Sequence, residues 1–104
     1  MPISIILDEL RDRLQGLYGT HLERLILFGS RARGDADPES DIDVLAVLSD
    51  EREIDEKQER VREIICQLCL EYDTVISCVF TTPEKLDHSG MPFYRNVRRE
   101  GVPI

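Results

Sequence analysis

Apolar residues recur along the first segment at spacings of three and four: Ile6, Leu7, Leu10, Leu14 and Leu17, with Asp8, Glu9, Arg11, Asp12 and Arg13 taking the other side. That period predicts an amphipathic helix over residues 3 to about 18, ended by Gly19. The pattern then changes to an unbroken apolar run over residues 25–28, which predicts a short strand buried on both faces. Residues 29 to about 35 predict a turn leading into a short helix, and residues 36–40 a polar loop punctuated by Pro38. A second strand is predicted over residues 41–48. Asp50, with Glu53 three residues later, resembles a capping box and opens a long helix to about residue 71. Ile54, Val61, Ile64, Ile65, Leu68 and Cys69 form its apolar stripe. Residues 74–80, rich in β-branched side chains, predict a third strand. Pro83 begins another helix, and residues 93–99 form a short last one that Gly101 terminates. This order predicts one α+β (α/β-like) domain over residues 1–104, a small mixed sheet covered by helices.

Composition narrows the picture. A hydrophobic share of 41% supports a modest core, and a chain of 104 residues is small enough that a homo- or hetero-oligomer is compatible with it. Lys and Arg total 13 against 21 Asp and Glu, a formal charge of -8. Such a surface repels a duplex or a long single strand, so no direct nucleic-acid binding is expected. It tolerates a small metal-chelated anion, because the metal inverts the local sign. Three cysteines fit no simple disulfide framework and suggest a reducing compartment. Cys66 and Cys69 fall in an apolar helical pattern and are expected to be buried core thiols. No apolar run approaches the roughly 18 residues of a membrane span, so the expectation is a soluble, cytoplasmic protein without membrane association. Arg95, Arg98 and Arg99 form a basic cluster expected to pair with the chain's own acids.

Candidate chemistry gathers where the first two predicted strands meet. One strand runs into Gly29-Ser30; the other begins with Asp41-x-Asp43. Alternation along a strand points Asp41 and Asp43 the same way, with Ile42 turned into the core. Two carboxylates side by side raise each other's pKa unless a cation lies between them. Magnesium favours one or two carboxylates and completes its octahedron with substrate phosphates. Two such ions can bind both the attacking and the leaving oxygen of a nucleotidyl transfer. Gly29 allows close approach of backbone to a phosphate, the helix start behind it directs N–H groups at the anion, and Ser30 adds a hydroxyl donor. Of the two arginines that follow, Arg33 is the candidate for the site and Arg31 is read as a surface residue.

Gly29-Ser30, ten residues, then Asp41-x-Asp43, in the context Phe-Gly-Ser-Arg-Ala-Arg-Gly and Ser-Asp-Ile-Asp-Val-Leu, resembles the signature of the polymerase-beta nucleotidyltransferase superfamily. More narrowly, it is similar to the minimal nucleotidyltransferases of prokaryotes. The motif covers residues 25–48, and the element order and length agree over most of the rest. The resemblance implies a polymerase-beta-like fold, a triphosphate bound by Gly29 and Ser30, and magnesium held by Asp41 and Asp43 in a two-ion site, with ATP as substrate. The family usually adds a third carboxylate on a later strand, where it binds metal and activates the attacking hydroxyl. Here the matching strand presents Val75, Ser77 and Val79 on one face, with no acid among them. Asp73 shares their parity if the strand extends back, which makes it the candidate third catalytic acid; its other reading is a helix-end or turn aspartate. Minimal members often act as antitoxins beside a HEPN-domain toxin and can transfer AMP from ATP to a tyrosine of that toxin. The expectation for this chain is therefore magnesium-dependent transfer of AMP to a hydroxyl of a HEPN-type protein partner. The alternative is a nucleotide-binding antitoxin of weak or no turnover that neutralises its partner by binding. Transfer to a small molecule is the third reading, and no acceptor pocket can be assigned to it.

Overall fold

The computed structural model describes residues 2–34 and 40–104. The predicted end of the turn at Asp35 and the loop residues 36–39 lie outside them. The apolar stripe of the first segment does what its period requires. Helix α1 (Ile3–Tyr18) buries Ile6, Leu7, Leu10, Leu14 and Tyr18, and Gly19 closes it at φ 59°. A 3-10 turn leads to strand β1 (Leu22–Phe28), a short helix α2 (Ser30–Arg33) and strand β2 (Ile42–Leu48). Leu25, Ile26 and Leu27 are all buried, so β1 is covered on both faces. It also runs three residues further back than the apolar run, pairing with β2 through a register irregularity between Leu22 and Arg24.

The long helix is two helices, α3 (Glu51–Glu56) and α4 (Gln58–Tyr72), separated at Lys57. Asp50 caps α3, its Oδ1 accepting the Glu53 N–H at 3.0 Å. The Glu53 carboxylate turns instead to His21 Nε2 at 3.1 Å and Lys57 Nζ at 2.9 Å. The Lys57 ammonium also lies 5.5 Å from the centre of the Tyr18 ring. Lys57 itself departs from helical geometry at φ -114°, ψ 18°.

Strand β3 (Ile76–Thr81), helices α5 (Pro83–His88) and α6 (Pro92–Glu100), and strand β4 (Val102–Pro103) complete the chain. The sheet order is β3-β2-β1-β4. β1 is antiparallel to β2 and β4, and β2 is parallel to β3 through the α3–α4 crossover. One face packs under α1 and α4, with Leu10, Leu14, Val44, Ala46, Val61 and Leu68 in its core. The other packs under α5 and α6 through Ile26, Leu45, Val47, Leu86 and Val97, flanked by Phe28, Phe93 and Tyr94. This is the expected mixed sheet covered by helices. Leu10 is fully buried. Leu10→Ala is expected to cost about 2–5 kcal/mol and to lower the midpoint of thermal unfolding by at least about 10 °C.

The thiols differ from expectation. Cys69 packs against the core and accepts the Ile76 N–H at 3.3 Å, but Cys66 is exposed. Burial pushes the Cys78 thiol up to about 12, which leaves it unreactive. In the basic cluster, Arg98 bonds the Leu86 carbonyl at 2.6 Å, and Arg99 lies 3.5 Å from Glu100. Among the described residues no helix is long and apolar enough to cross a membrane.

Candidate active site

Antiparallel pairing brings the end of β1 to the start of β2, with Phe28 opposite Asp43. The next residue, Gly29, has φ 75° and ψ -157°, a conformation that L side chains rarely adopt. A Cβ at Gly29 would lie 2.5 Å from Asp43 Oδ2. The two sequence elements thus meet: the Asp43 carboxylate occupies the space that a side chain on Gly29 would fill. Helix α2 starts there, with the Gly29 carbonyl accepting the N–H groups of Ala32 at 3.1 Å and Arg33 at 3.2 Å. Ser30, the first residue of α2, is half-buried.

Alternation sets the direction of the acids. Ile42 and Val44 enter the core beneath α1 and α4, while Leu45 and Val47 enter the opposite one. Asp43 therefore faces the α5–α6 side, beyond the end of that apolar cluster, and is half-buried. Asp41, just outside the strand, is exposed. Burial, followed by the charge of Asp41, raises the Asp43 pKa above its ordinary value. The pair is close enough to repel.

The arginines divide their roles differently from expectation. Arg33 lines a cavity of about 150 Å³ with Phe28, Gly29, Phe93, Asn96 and Glu100, and its Nη1 lies 3.6 Å from Glu100 Oε2. Arg31 is not a simple surface residue. Its Nε and Nη2 donate to the Ser40 carbonyl at 3.2 and 2.9 Å. That two-pronged bond braces α2 against the residue preceding Asp41. No periodicity signals it, because the partner is a backbone oxygen nine residues away. Lysine cannot reproduce the fork. Arg31→Lys is therefore expected to lower kcat/KM for the nucleotide by about 10- to 100-fold, the scale of a misplaced catalytic group. Thermal unfolding should shift by no more than about 4 °C, as for other surface changes.

The condition placed on Asp73 is not met. β3 begins at Ile76, and Asp73 closes α4 in the left-handed conformation at φ 48°, ψ 53°. Its N–H and that of Thr74 both return to the Cys69 carbonyl, so the helix cap consumes the amides that an extended strand would need. Asp73 stays at the same end of the sheet but outside β3. The β3 residue in register with Asp43 is Ser77. Among the described residues no cluster of three or more His, Cys, Asp or Glu could hold a metal ion.

Comparison with known proteins places this geometry. The family model described as "Nucleotidyltransferase domain" matches residues 4–98. A Methanocaldococcus jannaschii protein named "Putative protein adenylyltransferase MJ0141" is 40% identical over 77 residues, covering 74% of this chain and 77% of that protein. A second protein of that organism, "Putative protein adenylyltransferase MJ0604", is 34% identical over 96 residues, covering 91% of this chain and 90% of its own length. A crystal structure described as "the toxin-antitoxin with AMP-PNP" shares the fold at a TM-score of 0.62 and 20% identity, covering 91% of this chain and 69% of that one. With the glycine turn and both aspartates inside the matched span, the chain belongs to the nucleotidyltransferase domain family and is a nucleotidyltransferase.

Proposed function

We propose that the chain transfers AMP from ATP to a hydroxyl of a protein partner, with magnesium held by Asp41 and Asp43. The observation that carries this reading is the close approach of Asp43 to the glycine turn, where a Cβ on Gly29 would lie 2.5 Å from Asp43 Oδ2. A cation on the aspartates would sit directly against the turn that receives the triphosphate. The donors suit the ion: two hard carboxylate oxygens of like charge, one of them kept from ionising freely by burial and its neighbour. Magnesium, when bound, would neutralise charge on the phosphates and on the departing pyrophosphate.

The chain's own residues supply position. Gly29 admits the phosphates to the backbone, the Ser30 hydroxyl donates to a phosphate oxygen, and Arg33 adds positive charge beside the turn. The acceptor oxygen forms a bond to the α-phosphorus as the bond to the α–β bridging oxygen breaks. Pyrophosphate leaves with that electron pair, and the hydroxyl proton passes to solvent. The names of the two relatives support adenylyl transfer to a protein, and the AMP-PNP in the toxin–antitoxin neighbour supports an ATP site. The same neighbour supports a toxin as partner, for which a HEPN-type protein is our candidate.

A second reading, neutralisation by binding alone, is favoured by the absence of an acid among Ser77 and Val79 on the strand beside Asp43. Incubation with α-labelled ATP, magnesium and the product of the neighbouring gene tests the first. Label should enter that product and vanish with a chelator or with Asp41→Asn; no label in wild type contradicts it. Neutralisation at native dose by the Asp41→Ala/Asp43→Ala double variant would establish the second.

A further inference from the structure

The two edges of the sheet are finished differently. On one side, β4 ends the sheet with Pro103, which has no N–H to offer a further strand. On the other side, β3 reads Ile76-Ser77-Cys78-Val79-Phe80-Thr81, with no proline, glycine or charge. These are the devices by which edge strands usually avoid pairing, and β3 has none of them. Among the described residues nothing pairs with its outer side. Every second residue of a parallel edge strand aims its N–H and C=O outward.

Both faces of that edge open into largely apolar cavities, each with one cation in its lining. One, of about 440 Å³, lies between β3 and the helices α3 and α4, lined by Ile54, Val61, Ile65 and Phe80, with Gln58 and Arg62. The other, of about 430 Å³, lies on the opposite face, lined by Val79, Met91, Phe93 and Tyr94, with Lys85. Val79 and Met91 are 37% and 60% exposed, far more than core residues of their kind. An added strand would send alternate side chains into one cavity and then the other, at the period of two that strands impose.

We propose that the acceptor protein docks here, adding an extended segment of uncharged side chains to the outer edge of β3 and carrying its hydroxyl past Ser77 toward Asp41 and Asp43. The inference rests on the protein-acceptor reading above. Charge selects the occupant: two copies of a chain of net charge -8 repel, and Arg62 and Lys85, which line the two cavities, disfavour a basic segment, which leaves a neutral one. Register connects the edge to the chemistry. Ser77 is level with Asp43, and a strand beyond β3 lies about 10 Å from β2, two strand spacings away. Ser77 is exposed and small, so no bulky side chain of β3 stands at that level between the segment and the carboxylates.

The test uses the full chain, α-labelled ATP, magnesium and an extract of the source organism, from which the labelled protein is purified as acceptor. Val79→Lys and Ile65→Lys each place a charge in one cavity, and Val102→Lys does the same at the far edge. The first two should raise the KM for the acceptor at least about 10-fold, the loss expected for a central interface contact. The KM for ATP should stay unchanged in all three, which also reports that the variants fold, and Val102→Lys should bind acceptor as wild type does. An unchanged acceptor KM in Val79→Lys and Ile65→Lys overturns the docking surface while leaving the transfer reading intact. So does a wild-type dimer that Val79→Lys splits without affecting the acceptor. No labelled protein with wild type overturns the acceptor reading, and this inference with it.

Discussion

Asp43→Asn should lower nucleotidyl transfer by about 10³-fold, the scale of removing one preorganised electrostatic contact, and at the same time make the metal-free protein more stable at pH 7. The two effects have one cause. Burial and the Asp41 charge raise the Asp43 pKa in the folded state above its ordinary 3.8. The protonated form therefore favours folding. That contribution is complete below the unfolded value and is lost as pH rises through the folded one. At pH 7 the native state carries an ionised Asp43 that it accommodates poorly. Asparagine removes the charge, and the partly solvated site limits the gain to about 0.5 kcal/mol, or roughly 2–4 °C in the unfolding midpoint. The gain should shrink toward pH 4, where Asp43 in the native state is increasingly protonated. Magnesium should raise the midpoint of wild type at pH 7 and leave Asp43→Asn where it is. Thermal melts at the two pH values, with and without magnesium, read all of this directly.

Gly29→Ala should damage stability and transfer together. At φ 75° an L residue is strained by about 1–2 kcal/mol. Its Cβ would also stand 2.5 Å from Asp43 Oδ2 and 3.3 Å from Asp43 Cγ, so the carboxylate must move. The expected cost is about 2 kcal/mol of stability, some 10 °C in the midpoint. Transfer should fall by at least about 100-fold, because the displaced group is the carboxylate proposed to hold the metal against the phosphates. Steady-state kinetics beside a thermal melt separates the two losses: about 2 kcal/mol would leave most of the protein folded at 25 °C, so lost activity cannot be lost protein.

What could be read from residues alone was whatever repeats or stands in fixed order. The stripe of Leu10 and Leu14, the capping by Asp50 and the run from Val44 to Leu48 are periodic or local signals, and the structure obeys them. The glycine turn and the aspartate pair were legible because each stands at the end of an apolar run. Non-local contacts were not legible. Lys57 interrupts a helix although it is neither glycine nor proline, and no local signal marks the break. β4 is two residues long and gains its place from β1, not from any pattern of its own. Arg31 acquires its role from a carbonyl across the turn. Asp73 kept strand parity on paper, but the cap of α4 claims its backbone first.

The glycine turn and the two aspartates are proposed to form a single magnesium-dependent triphosphate site. Calorimetric titration of AMP-PNP into wild type and into the Asp41→Asn/Asp43→Asn variant, each with magnesium and with chelator, tests that most directly. Wild type should bind at least about 10-fold more tightly with magnesium, a gain of 1.4 kcal/mol or more, and the variant should show no gain. Equal binding by wild type in magnesium and chelator, or a magnesium gain that survives in the variant, would contradict it.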